Sequence, residues 1–337
     1  KAYAGIDLHS SNNYIGIIDE HDHRLYQKRL PNQLAHIKRA LEPFKESLEG
    51  VVVESTYNWY WMVDGLQEDG YKLHLANPSA IKQYEGLKHT DDKWDSFWLA
   101  HMKRLNILPE GYIYPKEERP VRDALRRRLL YVRHRTSHIL SLQSAITRNL
   151  GYKMSGRDIK KLNESDADKL FDEPFLILSA TNSISTIHFL GKKIKEIEKA
   201  VKSHVHLKPE FQYLLTMPGI GDILGLTIML EAGDISRFKT VGKYSSYCRC
   251  VKSERLSNKK KKGEGNRKNG NKYLSWAYVE AANFAIRSYP EFQSFYNRKK
   301  ANTNGVVAIK ALSNKLARAS YYVIRDQVPY DASKLFR

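Results

Sequence analysis

YAGIDLHSSNNYIGIID, residues 3–19, decides how the chain begins to fold. YAGID and YIGIID are short apolar runs that each end in an aspartate, and the polar LHSSNN between them reads as a turn. After DEHDHR, the LYQKRL segment supplies a third strand of the same kind. Apolar residues Leu34, Ile37, Leu41, Phe44 and Leu48 then recur at helical spacing over residues 33–48. VVVE at 51–54 reads as a buried strand, WYWMVDGLQEDG at 59–70 as a helix closed by Gly70, and KLHLANP at 72–78 as a strand stopped by Pro78. Three strands in hairpin order, followed by alternating helix and strand, predict a mixed sheet with helices packed against it.

Beyond the sheet the pattern turns helical. Residues 91–107 present Trp94, Phe97, Trp98, Leu99, Met102 and Leu105 on one face, and residues 121–150 read as a long basic helix. Residues 157–208 suggest shorter helices, one of them the charged GKKIKEIEKAVKSHV. Helices are expected again at 211–238, about Tyr273 to Ser288 and about Val306 to Val323, with an aromatic-rich link between the last two. The expected organisation is an α/β domain over 1–115, a helical or coiled-coil spacer with an oligomerisation role over 116–209, and a mostly α domain over 210–337.

The charge is as informative as the pattern. Fifty-six Lys and Arg stand against 37 Asp and Glu, a formal excess of +19 in 337 residues. Such an excess favours a polyanionic partner, most often nucleic acid. Hydrophobic content is ordinary at 42%. Cys248 and Cys250 are too few and too close for a disulfide scaffold, which suits a reducing cytosol. No apolar run approaches ~18 residues, so no membrane span is expected, and the N-terminus enters a strand without a leader pattern.

Within this basic chain stand four acids at telling positions. Asp7 and Glu54 end two predicted strands, where α/β folds tend to place their chemistry. Asp92 and Asp95, three apart in HTDDKWDSFWLA, would share one helical face. Gathered carboxylates repel and drift toward protonation unless cations compensate. A pair of Mg²⁺ ions, roughly 3.5–4 Å apart, would do so and would serve phosphoryl transfer. Each acid also has a plainer reading: Asp7 as a turn cap, Glu54 as a chance edge residue, Asp92 as a helix cap, although Asp91 suits that cap better. His9, His89 and His101 read as phosphate contacts or solvated residues.

Two segments of the last third suit a phosphate backbone. MPGIG at 217–221 makes a tight turn whose backbone N–H groups, with Gly219 and Gly221, could face a phosphate beside a helix start, or form a plain helical corner. Residues 252–272 hold nine Lys or Arg against two Glu, interleaved with Ser, Asn and Gly. Lys259, Lys260, Lys261, Lys262, Arg267, Lys268 and Lys272 are its candidate phosphate contacts, and Arg126, Arg127 and Arg128 extend the basic surface. Ser253, Ser257 and Ser275 are the nearby hydroxyls. Ser257, beside Asn258 and the lysines, is a candidate nucleophile or a plain backbone contact.

These motifs together resemble the IS110 family of transposases, especially its IS1111-like branch. GIDLHS at 5–10, VVVEST at 51–56 and TDDKWDSFWLA at 90–100 carry the acidic part of the likeness. MPGIGDILGLTIMLEAGDISRF at 217–238 and NGNKYLSWAYVEAANFAIR at 269–287 carry the rest. The resemblance implies an RNase H- or RuvC-like domain whose DEDD acids are Asp7, Glu54, Asp92 and Asp95 holding Mg²⁺, a coiled-coil-like arm, and a helical domain with a helix-hairpin-helix-like element. It further implies that Ser257 attacks a DNA phosphodiester, although Lys259 stands where the family has a glycine. Donor and target DNA, a structured noncoding guide RNA, homodimers assembling to tetramers, and a bacterial or archaeal, nucleoid-associated cytoplasmic setting follow from the same likeness. Two other readings stay open: a Mg²⁺-dependent junction or strand nuclease whose serine loop only binds phosphate, and a non-enzymatic nucleic-acid-binding regulator.

Overall fold

The computed structural model describes residues 1–81, 92–204, 208–251, 255–257, 260–263 and 269–335; for residues 92, 93, 204, 255–257 and 261 it describes the backbone alone. The chain forms two compact units, Lys1–Lys116 with Glu254–Asn269, and Glu117–Ser253 with Gly270–Arg337.

In the first unit β1 (Ala2–Leu8) pairs antiparallel with β2 (Asn12–Asp19), and β2 with β3 (Arg24–Pro31). On its other side β1 runs parallel to β4 (Leu48–Glu54), and β4 parallel to β5 (Leu73–Ala76). A short β6 (Glu110–Gly111) closes the order β3-β2-β1-β4-β5-β6. The strand alternation sorts side chains to two faces. Ala4, Ile6, Leu8, Ile15, Ile17, Val51 and Val53 bury themselves against α1 (Leu34–Leu41) and α2 (Tyr60–Glu68). The opposite face meets α3 (Asp92–Arg104): Val52 packs with Leu99 and Met102, and Ile18 with Phe97 and Ala100. The mixed sheet is the one the strand and helix pattern predicts, and with helices on both faces it has the RNase H/RuvC-like architecture that the family resemblance implies.

Two glycines set how closely α3 lies on the sheet. A Cβ on Gly5 would come within 1.9 Å of the Ser96 carbonyl oxygen, and one on Gly16 within 2.8 Å of Ser96 Oγ. The helix backbone therefore sits on the strands themselves. The helix expected over 33–48 ends earlier: residues 42–47 form a 3₁₀ turn, because Pro43 removes a backbone donor and fixes its own φ.

The second unit begins with α4 (Arg119–Leu150), which packs along α7 (Pro174–His204). Leu125 and Val201 share one core, whereas Ile139, Leu142 and Ile146 meet Ala180, Ile184 and Ile187 in another, so the two helices run antiparallel. Short helices α5 (Gly156–Ile159) and α6 (Ala167–Leu170) bridge the far end. α7 is one continuous 31-residue helix where shorter ones were expected, because its buried Ile184, Ile187, Leu190, Ile194 and Val201 keep a single stripe past Gly191.

The remaining helices are α8 (Pro209–Leu215), α9 (Asp222–Ala232), α10 (Val241–Tyr247), α11 (Lys272–Ser288), α12 (Pro290–Ala301) and α13 (Gly305–Asp326). α12 occupies the expected aromatic link: Pro290 at its first position has the φ a helix start needs, and Phe292 is fully buried. β7 (Arg255–Ser257) and β8 (Lys260–Gly263) pair as a hairpin that the basic sequence did not suggest. Among the described residues no helix is long and apolar enough to cross a membrane.

Candidate active site

The register explains how two acids from distant sequence meet. In the parallel pair, Ile6 stands opposite Val53, and Glu54 opposite Ala76 of β5. Asp7 and Glu54 are the next residues of β1 and β4. Each is two residues beyond a position that faces α3, Gly5 and Val52, so both share that face. Asp95 lies on α3, one residue before the Ser96 that seats on Gly5. Asp7 is buried at 4% exposure.

The electrostatics confirm the closeness. Burial, a hydrogen bond with Asp7, and the negative charges of Asp7 and Asp95 push the Glu54 carboxyl up to about 8. Near neutral pH Glu54 therefore keeps its proton, and the two acids form a hydrogen-bonded acid–carboxylate pair. His9 Nε2 lies 3.0 Å from Asp7 Oδ2. The loop carrying His9 is fixed by two amides: Asn32 Nδ2 and Asn58 Nδ2 each donate to the His9 carbonyl at 3.0 Å. Neither asparagine was singled out from sequence, because each acts through backbone that only the fold brings near. Of the other histidines, His101 Nδ1 stands 2.9 Å from Asp22 Oδ1, and His89 lies outside the described residues, as does Asp91. Asp92 occupies the first turn of α3, and its side chain is also outside the described residues.

The second unit places the other candidates. Gly219 has φ +76°, and a Cβ there would meet the Ala281 carbonyl oxygen at 2.1 Å, so the MPGIG turn is seated backbone to backbone on α11. Gly221 caps α9, with open space where a side chain would stand. Arg126 donates to Glu231 through Nε at 2.6 Å and Nη2 at 2.9 Å, with its guanidinium 4.4 Å from the Tyr273 ring centroid. Arg122 Nε donates to the same carboxylate at 3.1 Å, and Asn271 Nδ2 at 2.6 Å. Asn271 also caps α11, its Oδ1 accepting from Tyr273 and Leu274. Burial pushes the Glu231 carboxyl up, but the Arg126 hydrogen bonds and the charges of Arg122 and Arg126 outweigh it and hold it low. This network was missed; a lone glutamate in the apolar run LGLTIMLEAG was its one sequence signal.

Arg128 pairs with Glu198, while Arg127, Lys260, Lys262 and Lys272 are exposed. Lys259, Arg267, Lys268 and Ser253 lie outside the described residues. Ser257 stands opposite Lys260 at the turn end of the hairpin, with the side chains of Ser257 and Lys261 undescribed. Ser275, half-buried on α11, accepts from Lys310 Nζ at 3.4 Å.

A family model for the DEDD transposases of IS110 matches residues 4–149, and one described as "Transposase IS116/IS110/IS902 family" matches residues 211–297. The "Transposase for insertion sequence element IS1328" of Yersinia enterocolitica is 24% identical over 333 residues, covering 95% of each chain. The "Probable family 20 transposase" of Pseudomonas aeruginosa is 22% identical, covering 97% of each. The "Insertion element IS110 uncharacterized 43.6 kDa protein" of Streptomyces coelicolor is 21% identical over 158 residues, 47% of this chain and 38% of its own.

These findings correct the expected scheme in which Ser257 attacks DNA beside magnesium held by four carboxylates. The match over 4–149 is to a model named for its DEDD acids, which places the family's signature on the acidic unit. Among the described residues, moreover, no group of three or more His, Cys, Asp or Glu is arranged to hold a metal ion. Without a cation, Glu54 and Asp7 meet as a hydrogen-bonded pair, with the Glu54 carboxyl pushed up to about 8. With matches to both its acidic and its helical portions, the chain belongs to the IS110 family of transposases.

Proposed function

We propose that this transposase cleaves DNA strands through acidic-residue chemistry at Asp7, Glu54 and Asp95, with Mg²⁺ as the assisting ion. The observation that carries this reading is the crowding of three carboxylates at the carboxyl ends of β1 and β4 under α3, where Glu54 is pushed up to about 8. Hard oxygen donors pressed together suit a hard divalent cation, which relieves the same repulsion that protonates Glu54. When bound, Mg²⁺ supplies charge neutralisation and polarisation of a phosphoryl oxygen. Asp7, buried and beside His9, holds the Glu54 proton until it leaves. Glu54, once ionised, is a base of the strength that neutral-pH proton transfer asks for. Asn32 and Asn58 keep His9 in place. The hairpin carrying Ser257 and Lys260 binds phosphate without forming a bond to it. The helical hairpin α4/α7 serves self-association, a role supported by the exposed Phe175, Leu178 and Phe189 on α7.

The experiment is strand cleavage of element-end duplex DNA by the full chain with Mg²⁺. Asp7→Asn is expected to lower the cleavage rate by at least about a hundredfold, because it removes the carboxylate that positions Glu54, the proton-transfer group, and that would help hold Mg²⁺. Unchanged turnover in that variant contradicts the proposal.

A further inference from the structure

Away from the acids, the helical hairpin carries an open cleft of about 600 Å³ lined by Arg135 of α4, Lys160 just after α5, and His188, Lys192, Lys195 and Lys199 of α7. Glu196, the one acid lining it, is paired with Lys193 at 2.8 Å. Among the described residues Lys160, Lys192, Lys195 and Lys199 take no ion pair, although neighbouring cations do: Lys161 with Asp158, Lys202 with Asp222, Arg128 with Glu198. Arg135 forms the floor. Its Nη1 lies 3.6 Å from where a Cβ of Gly191 would be, so the glycine leaves room for the guanidinium. Arg135 Nε is shielded from solvent and has no hydrogen-bond partner among the described residues. Burial, then the charge of Arg128, holds the Arg135 guanidinium below its ordinary pKa.

Five like charges converging on one cleft cost the folded chain repulsion that an anion would relieve. The spacing tells which anion. Lys192, Lys195 and Lys199 stand at i, i+3 and i+7, one face of α7, and span about 10 Å at ~1.5 Å per residue. A duplex strand carries a phosphate every ~3.4 Å of axis, so that face meets about three phosphates in a row. We infer that this cleft is a phosphodiester-backbone site, in which Lys192, Lys195 and Lys199 track successive phosphates of one nucleic-acid strand while Arg135 donates to one of them. The inference takes nucleic acid as the partner from the transposase reading, but does not depend on the chemistry at Asp7.

The test measures equilibrium binding of the full chain to a fluorescent 40-base-pair DNA duplex and, separately, to an RNA hairpin. Titrations without divalent cation, over a range of KCl concentrations, keep strand cleavage silent. The variant is Lys192→Gln with Lys195→Gln and Lys199→Gln. All three sites are exposed, so its thermal midpoint should match that of the parent chain. The control removes the same charge elsewhere, with Lys28→Gln, Arg298→Gln and Lys299→Gln. We expect the slope of log Kd against log salt to fall by about 2–3 in the α7 variant. Binding should weaken about tenfold or more, with the control close to the parent chain. The probe that loses slope identifies the strand as DNA or RNA. An unchanged slope on both probes overturns the inference, as does an equal loss in the control. Because binding is read without cleavage, an inactive acid site would leave this result standing, and a failed cleft would leave the cleavage proposal standing.

Discussion

Glu54 and Glu231 are two buried carboxylates with opposite fates. Burial pushes both up, and their neighbours then decide. Glu54 is surrounded by further acids, Asp7 and Asp95, and rises to about 8. Glu231, only 2% exposed, is met by Arg122, Arg126 and Asn271 and stays ionised. A carboxylate with its hydrogen bonds and countercharges satisfied ties elements together, here α4, α9 and the start of α11. A carboxylate placed among its own kind is held at a cost that structure alone does not repay, and such sites are where chemistry is found.

The largest expected effect would break the satisfied side of the comparison. Arg122→Ala leaves Glu231 with fewer countercharges in a buried site and should destabilise the chain by about 3–5 kcal/mol at neutral pH. Because the folded-state pKa of Glu231 is lowered, its stabilisation is present above the ordinary carboxylate range. It is lost as pH falls through the folded value, so the penalty of the variant should shrink in acid. Denaturant unfolding at pH 7 and pH 4 checks both statements.

The crowded side predicts the opposite sign. A carboxyl whose pKa is raised in the folded state favours folding less as pH climbs from its ordinary value near 4.5 to about 8. Glu54→Gln removes that penalty. It should therefore unfold later than the parent chain at pH 8, by a stability gain on the order of 1–3 kcal/mol, and show little gain at pH 4. Thermal melts without divalent cation read this directly, and a loss of stability at pH 8 would mean that Glu54 is already compensated.

The smallest effect concerns cation binding. A cation that displaces the Glu54 proton binds more tightly as pH rises toward 8, by up to about tenfold per pH unit. Mn²⁺ titrations at pH 6, 7 and 8 should show that trend, and Glu54→Gln should flatten it.

How much of this was legible depends on which forces place a residue. Asp7 and Glu54 stand out because each ends an apolar run, and the strand period alone sends both to one face once their strands are parallel neighbours. Asp95 is legible as a helical acid, but its approach rests on Gly5 and Gly16, whose role is invisible until α3 is seen lying on them. The continuity of α7 was hidden because the charged GKKIKEIEKAVKSHV reads as a separate helix starting at Gly191, whereas the buried stripe runs straight through. The Arg-rich start of α4 looks like open basic surface in the sequence. Yet Arg126 belongs to a glutamate more than a hundred residues away, a pairing no local spacing can announce. Gly219 suits a phosphate-facing turn by composition, and only the packing on Ala281 reveals what its missing side chain makes possible.

In the proposed function, strand cleavage belongs to the acids and not to a serine. The most direct measurement follows Mg²⁺-dependent cleavage of element-end DNA by Ser257→Ala, with denaturing gels and peptide mass analysis searching for DNA joined to protein. Ser257→Ala is expected to cleave at a rate within about tenfold of the parent chain, with the loss confined to DNA binding, and neither protein should carry a covalent adduct. DNA joined to Ser257 in the parent chain, together with abolished cleavage in the variant, would contradict it.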